Sequence, residues 1–176
     1  MTQAPMVSVT TRVMPHEVHG ACAKAVQRLF PDFLVETEPD SAGFPIARDP
    51  TDLRVEGVAP DLFLEMLGKQ RILDTALDAM SQNLRRNSTS FLLSRQAALK
   101  GKVAFVLASE RTVGGVISVE LEGADLIDWL EEATHHPGRL DVPRNVGDDV
   151  SMLADGGVTE WFDAKGRATM QTDDQD

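Results

Sequence analysis

LEMLGKQRILDTALDAMSQNLRRNSTSFLLSRQAALKGK, residues 64–102, decides how the chain divides between helix and strand. Leu62, Phe63, Met66, Leu67, Leu73, Ala76, Leu77, Met80 and Leu84 trace one apolar face, which predicts a single long helix from Leu62 to about Arg86. Gly68 interrupts that face at a propensity cost of about 1 kcal/mol relative to alanine, a hint of close approach by another backbone. Asn87-Ser88 ends the helix, residues 90–94 read as a strand, and Arg95–Leu99 is long enough only for a helical turn. The same stretch reverses the sign of charge. Lys69, Arg71, Arg85, Arg86, Arg95, Lys100 and Lys102 stand against Glu65, Asp74 and Asp78, so seven bases less three acids leave +4 inside a chain of −11.

Toward the N-terminus, residues 7–14 alternate with β-branched side chains and predict a strand that Pro15 ends. Val18, Ala21, Cys22, Ala25, Val26 and Leu29 then place one stripe on a helix over 16–30, stopped by Pro31. Residues 33–38 and 53–58 are two further strand candidates, separated by a loop over 39–50 that holds three prolines. Toward the C-terminus, the nearly all-apolar run 103–108 predicts a central strand covered on both faces. Gly114-Gly115 permits a hairpin from it into the alternating strand 116–121, and 125–135 forms an acidic amphipathic helix. Residues 137–176 carry nine acids against four bases without sustained periodicity.

The order of these elements predicts an α+β domain over 1–136, with helices covering one face of a mostly antiparallel sheet. An acidic, partly extended or disordered tail over 137–176 follows, with apolar islands at 150–153 and 158–162 that can dock on the body. The other face of the sheet is left for solvent, a partner or a ligand. No apolar run approaches a membrane span and the first residues lack a signal-peptide layout, so a cytoplasmic protein is expected. The single cysteine, Cys22, has no internal disulfide partner. Asp outnumbers Glu by 17 to 11 and Arg outnumbers Lys by 12 to 5, a bias that suits a salt-rich cytoplasm and predicts a halophilic host.

No G-x-S-x-G elbow, P-loop or dinucleotide fingerprint occurs, so no catalytic residue, cofactor or metal is assigned. His16, His19 and Cys22 follow at three-residue spacing, but they supply at most three ligands, and Cys22 belongs to an apolar stripe. Asp74 and Asp78 share a helix face with Arg71 and Arg85, which reads as ion pairing along a solvated helix. Arg95, Lys100 and Lys102 have no acid nearby in sequence and can grip phosphates. Two expectations compete for the basic residues. They contact RNA, with Lys69, Arg71, Arg85, Arg86, Arg95, Lys100 and Lys102 on phosphates and Gln96 on a base edge, or they form a homodimer contact against the acidic helix of a second copy.

The phrases GKQRILDTA (68–76) and FLLSRQAALKGKVAF (91–105), with the opening strand that runs from Val7 to Glu17, resemble an uncharacterised archaeal protein family labelled predicted RNA-binding. The resemblance spans 7–129. It implies an α+β fold similar to a large-subunit ribosomal protein, a homodimer, RNA binding and no enzymatic activity, and its motif falls on Lys69, Gln70, Arg71, Asp74, Arg95, Gln96, Lys100 and Lys102.

Overall fold

A computed structural model of the chain describes residues 2–37, 48–107, 110–157, 161–162 and 168–170. Strand β1, Met6–Val13, alternates as the sequence does: Val7, Val9, Thr11 and Val13 point into the core. Helix α1, His19–Gln27, follows, then β2, Thr51–Glu56; α2, Asp61–Gln70; and α3, Leu73–Ser81. Next come β3, Ser88–Ser94; α4, Arg95–Leu99; the two-residue β4, Phe105–Val106; β5, Val116–Glu122; and α5, Leu126–Ala133. A 3-10 turn at Pro137–Leu140 succeeds α5, and β6, Trp161–Phe162, pairs with β7, Ala168–Met170, as a separate ribbon.

The main sheet is antiparallel throughout, in the order β2-β1-β5-β3-β4, so the expected α+β class holds. Register puts Val9 opposite both Val55 and Val119, and Val119 opposite Phe91, which aligns one apolar row across four strands. The helices lie on that face, burying Leu67, Leu77, Met80, Leu126 and Leu130 against it. The other face carries Ser8, Thr10, Ser90 and Ser118 among Arg54, Glu56, Glu120 and Glu122. Arg54 bridges three strands there, reaching Thr10 and Glu120 from beside Glu56.

Four local expectations are corrected. The long helix over 62–86 is two helices: Arg71 adopts the left-handed conformation (φ 57°), with Arg71 N–H bonded to Gly68 C=O and Ile72 N–H to Leu67 C=O. Those two bonds are a Schellman ending, and the apolar stripe runs through it because Leu73, Ala76 and Leu77 still face the sheet. Residues 33–37 form no strand, because Phe33 N–H bonds back to Phe30 C=O and its ring is fully buried; residue 38 lies outside the described residues. The run 103–107 is not central. It contributes only β4 at the sheet edge, and its apolarity serves Val103, which is buried, and Phe105, which packs on Phe63 and Phe91. Nor do Gly114-Gly115 turn a hairpin from β4, since β5 pairs with β1 and β3 and is itself the central strand.

Residues 137–157, read from sequence as tail, lie against the body. The buried Arg139 donates to Asp74, to the Thr134 hydroxyl and to Glu131 C=O. Arg144 forks between Asp78 and Asp148.

Candidate nucleic-acid interface

Two helix endings bring the distant halves of the basic stretch together. Helix α2 ends at Lys69-Gln70-Arg71. Helix α4 ends in a second Schellman motif, with Gly101 left-handed (φ 67°), Gly101 N–H on Ala98 C=O and Lys102 N–H on Ala97 C=O. The Gln70 side chain ties the two endings. Its Nε2 donates to Val103 C=O at 2.9 Å and its Oε1 accepts from Val103 N–H at 2.7 Å, so both main-chain polar groups of Val103 are engaged.

Lys69, Arg71, Lys100 and Lys102 therefore gather around one seam, all exposed. Lys69 pairs with Glu65 one turn back, whereas Arg71, Lys100 and Lys102 make no ion pair among the described residues. Gln96 is exposed one helical turn before Lys100, on the same side of α4. The helix ends contribute roughly half a negative charge each, and less for the five-residue α4, so three unpaired cations leave the seam positive.

The remaining predicted residues go elsewhere. Arg85 and Arg86 sit at the turn before β3, where Arg85 and Ser88 exchange both main-chain hydrogen bonds. The seven residues of β3 separate them from α4 by roughly 20 Å. Arg85 lines a cleft together with Glu120 and Glu122, and neither Lys100 nor Lys102 lines it.

Arg95 is 4% exposed and serves the fold. Its Nε donates to Gly114 C=O at 2.9 Å, Nη1 to the Thr11 hydroxyl at 3.0 Å and to Arg12 C=O at 2.9 Å, and Nη2 to the Glu17 carboxylate. Burial pushes the Glu17 carboxyl up, but the Met14 N–H and the Arg95 guanidinium outweigh it and hold the group below the usual carboxylate range. The same burial, only partly opposed by Arg95, raises the neighbouring Cys22 thiol. Gly114 and Gly115, both left-handed, make room for this arrangement: a Cβ on Gly115 would fall 2.5 Å from Arg95 Nη2, and one on Gly114 would collide with the Gln96 side chain.

Asp74 and Asp78 pair with neither Arg71 nor Arg85. Asp74 takes His136 and Arg139, and Asp78 takes Arg144 and the Met152 N–H. Partners 62 to 74 residues away leave no trace in helix periodicity, so Arg139 and Arg144 could not be found from the sequence. A signal did exist for Arg95: the paired glycines at 114–115 mark a place where something packs against backbone. His19 and Cys22 are buried and His16 is exposed, and among the described residues no three metal-ligating side chains cluster. No helix among the described residues is long and apolar enough to cross a membrane.

No protein-family model matches the chain. The UPF0201 protein of Sulfurisphaera tokodaii is 32% identical over 133 residues, 73% of this chain and 88% of that protein. The UPF0201 protein of Methanothermobacter thermautotrophicus is 32% identical over 147 residues, 81% of this chain and 98% of that one. The crystal structure of a UPF0201 protein from Methanococcus jannaschii shares the fold, with a TM-score of 0.61 at 23% identity over 74% of this chain and 99% of its own. Matched along most of their length by relatives at this identity, these residues place the chain in the UPF0201 family of uncharacterised archaeal proteins.

Proposed function

We propose that this protein is a nonenzymatic RNA-binding protein whose phosphate contacts come from Arg71, Lys100 and Lys102, assisted by Lys69, with Gln96 beside them to reach a base edge. The observation that carries the proposal is the Gln70 clamp on Val103, which links two helix endings rich in cations where, among the described residues, only Glu65 answers them. Arg95 leaves the set because it is buried and fully engaged, and Arg85 and Arg86 leave it by distance. A chain of −11 repels nucleic acid overall, so retention depends on the local patch. A fold similar to a large-subunit ribosomal protein, a cytoplasmic setting and a halophilic host belong to the same proposal.

Retention of total RNA at low salt tests it. The Arg71→Ala/Lys100→Ala/Lys102→Ala variant loses most retention, while Arg85→Ala/Arg86→Ala keeps it. Equal retention by wild type and the triple variant overturns the proposal.

A second reading has its own support. On α5, Asp125, Asp128 and Glu132 are exposed around Ile127, itself 46% exposed, a surface suited to the basic seam of a second copy in a homodimer. Sedimentation separates the two: a triple variant that becomes monomeric with unchanged RNA retention favours assembly.

A further inference from the structure

Beyond β4 the sheet stops, and residues 144–157 cross its end as a strap held by polar contacts at the rim. Arg144 grips Asp78 and Asp148, Met152 N–H donates to Asp78, and Gln82 Nε2 donates to Leu153 C=O. Gly156, left-handed, runs so close to the chain that a Cβ there would fall 2.5 Å from Leu107 Cδ1. Between strap, sheet end and the last turn of α3 remains a cavity of about 450 Å³. It opens to solvent on the side of Gln82 and Asn83, and its volume lies within the roughly 300 to 1,000 Å³ of small-molecule clefts.

Its lining specifies a ligand. Phe91 and Phe105, packed on each other with ring centroids 5.7 Å apart and planes at 58°, form one aromatic wall, and Leu92, Val106, Val146 and Met152 close the apolar part. At the polar end, the Gln82 amide nitrogen is engaged by Leu153 C=O and the Asn83 amide nitrogen by Ser90 C=O. That leaves the two amide oxygens as hydrogen-bond acceptors. Among the described residues the lining holds no cation, and its one ionised group, the Asp78 carboxylate, is already paired with Arg144, so an anion would find no partner. We infer that this cavity binds a small, uncharged, planar aromatic molecule bearing an N–H or amino donor, seated against the edge of the Phe91–Phe105 pair with its donor on the Gln82 or Asn83 amide oxygen.

Amide NMR titration of the full chain tests the inference, with indole as the probe and benzoate as an anionic ring of similar size. Indole shifts the amides of Leu92, Val106 and Met152 with a Kd on the order of 1 mM, and benzoate leaves them in place. Ala154→Phe, a change at an exposed strap residue that fills the cavity, weakens indole at least tenfold while the melting temperature stays near that of the wild type. Asn83→Ala, also at an exposed position, weakens it several-fold and serves as the reading if Ala154→Phe lowers stability. Absence of indole shifts overturns the inference. Equal shifts with benzoate, or indole shifts that survive both substitutions, overturn it too.

Discussion

Replacing Arg95 separates a residue of the fold from a residue of a binding surface. Its guanidinium makes four hydrogen bonds to acceptors on three segments: the end of β1, the Glu17 loop before α1 and the Gly114 turn before β5. Arg95→Ala leaves the Gly114 and Arg12 carbonyls without that donor and strands the Glu17 carboxylate, whose side chain is only 18% exposed. Breaking a buried ion pair from one side costs about 3–5 kcal/mol. For a chain of this length that lowers the melting temperature by roughly 6 to 20 °C. Arg95→Lys recovers little, because a single ammonium cannot match a fork directed at four acceptors. Glu17→Gln keeps an acceptor and costs less. Urea unfolding of the three variants and of the Arg95→Ala/Glu17→Gln double variant measures the coupling between the two side chains. A loss below about 1 kcal/mol for Arg95→Ala, with RNA retention reduced, refutes the reasoning and returns Arg95 to the surface.

Arg144→Met leaves the Asp78 carboxylate buried beside only one N–H donor and costs about 3–5 kcal/mol in urea unfolding, whereas the double variant Asp78→Leu/Arg144→Met is far closer to wild type. Acid weakens the fold through Glu17 and Asp148, both held below their ordinary values of 4.5 and 3.8. Burial raises Asp148, but Arg144, the Asn145 N–H and Ser151 outweigh it. Since both carboxyls have depressed folded-state values, their stabilisation is present above the ordinary pKa and is lost as pH falls through the folded one. Unfolding free energy followed from pH 6 downward therefore drops below about pH 4.5, with a shallower fall in Glu17→Gln. Melting temperature rises from low to molar KCl if the acidic surface is adapted to salt, and a fall over that range contradicts the halophilic assignment.

The strands with clean alternation, β1 and β5, were legible because each has one buried face, and period two admits no other register. The stripe of α2 and α3 was legible as helix, but the left-handed Arg71 was not: a Schellman ending keeps the apolar positions facing the core, so periodicity carries no record of it. The run 103–107 misled because apolar content does not distinguish a strand flanked by strands from an edge segment whose side chains fill a corner. Within the candidate site, Lys100 and Lys102 could be read from the absence of nearby acids. The same absence misleads at Arg95, because Glu17 lies 78 residues away and only the paired glycines at 114–115 mark where its side chain packs. Charge in sequence counts residues, whereas a binding surface depends on which of them the fold has already paired.

The salt dependence of RNA affinity tests the proposed interface most directly. A single strand releases about 0.7 counterion per phosphate neutralised, so the seam formed by Arg71, Lys100 and Lys102 predicts a slope of log K against log salt near roughly −2. Lys100→Ala/Lys102→Ala lowers its magnitude by roughly 1.4, and Arg85→Ala/Arg86→Ala leaves it unchanged. A slope insensitive to Lys100 and Lys102, or one abolished by the Arg85 and Arg86 changes, contradicts the account.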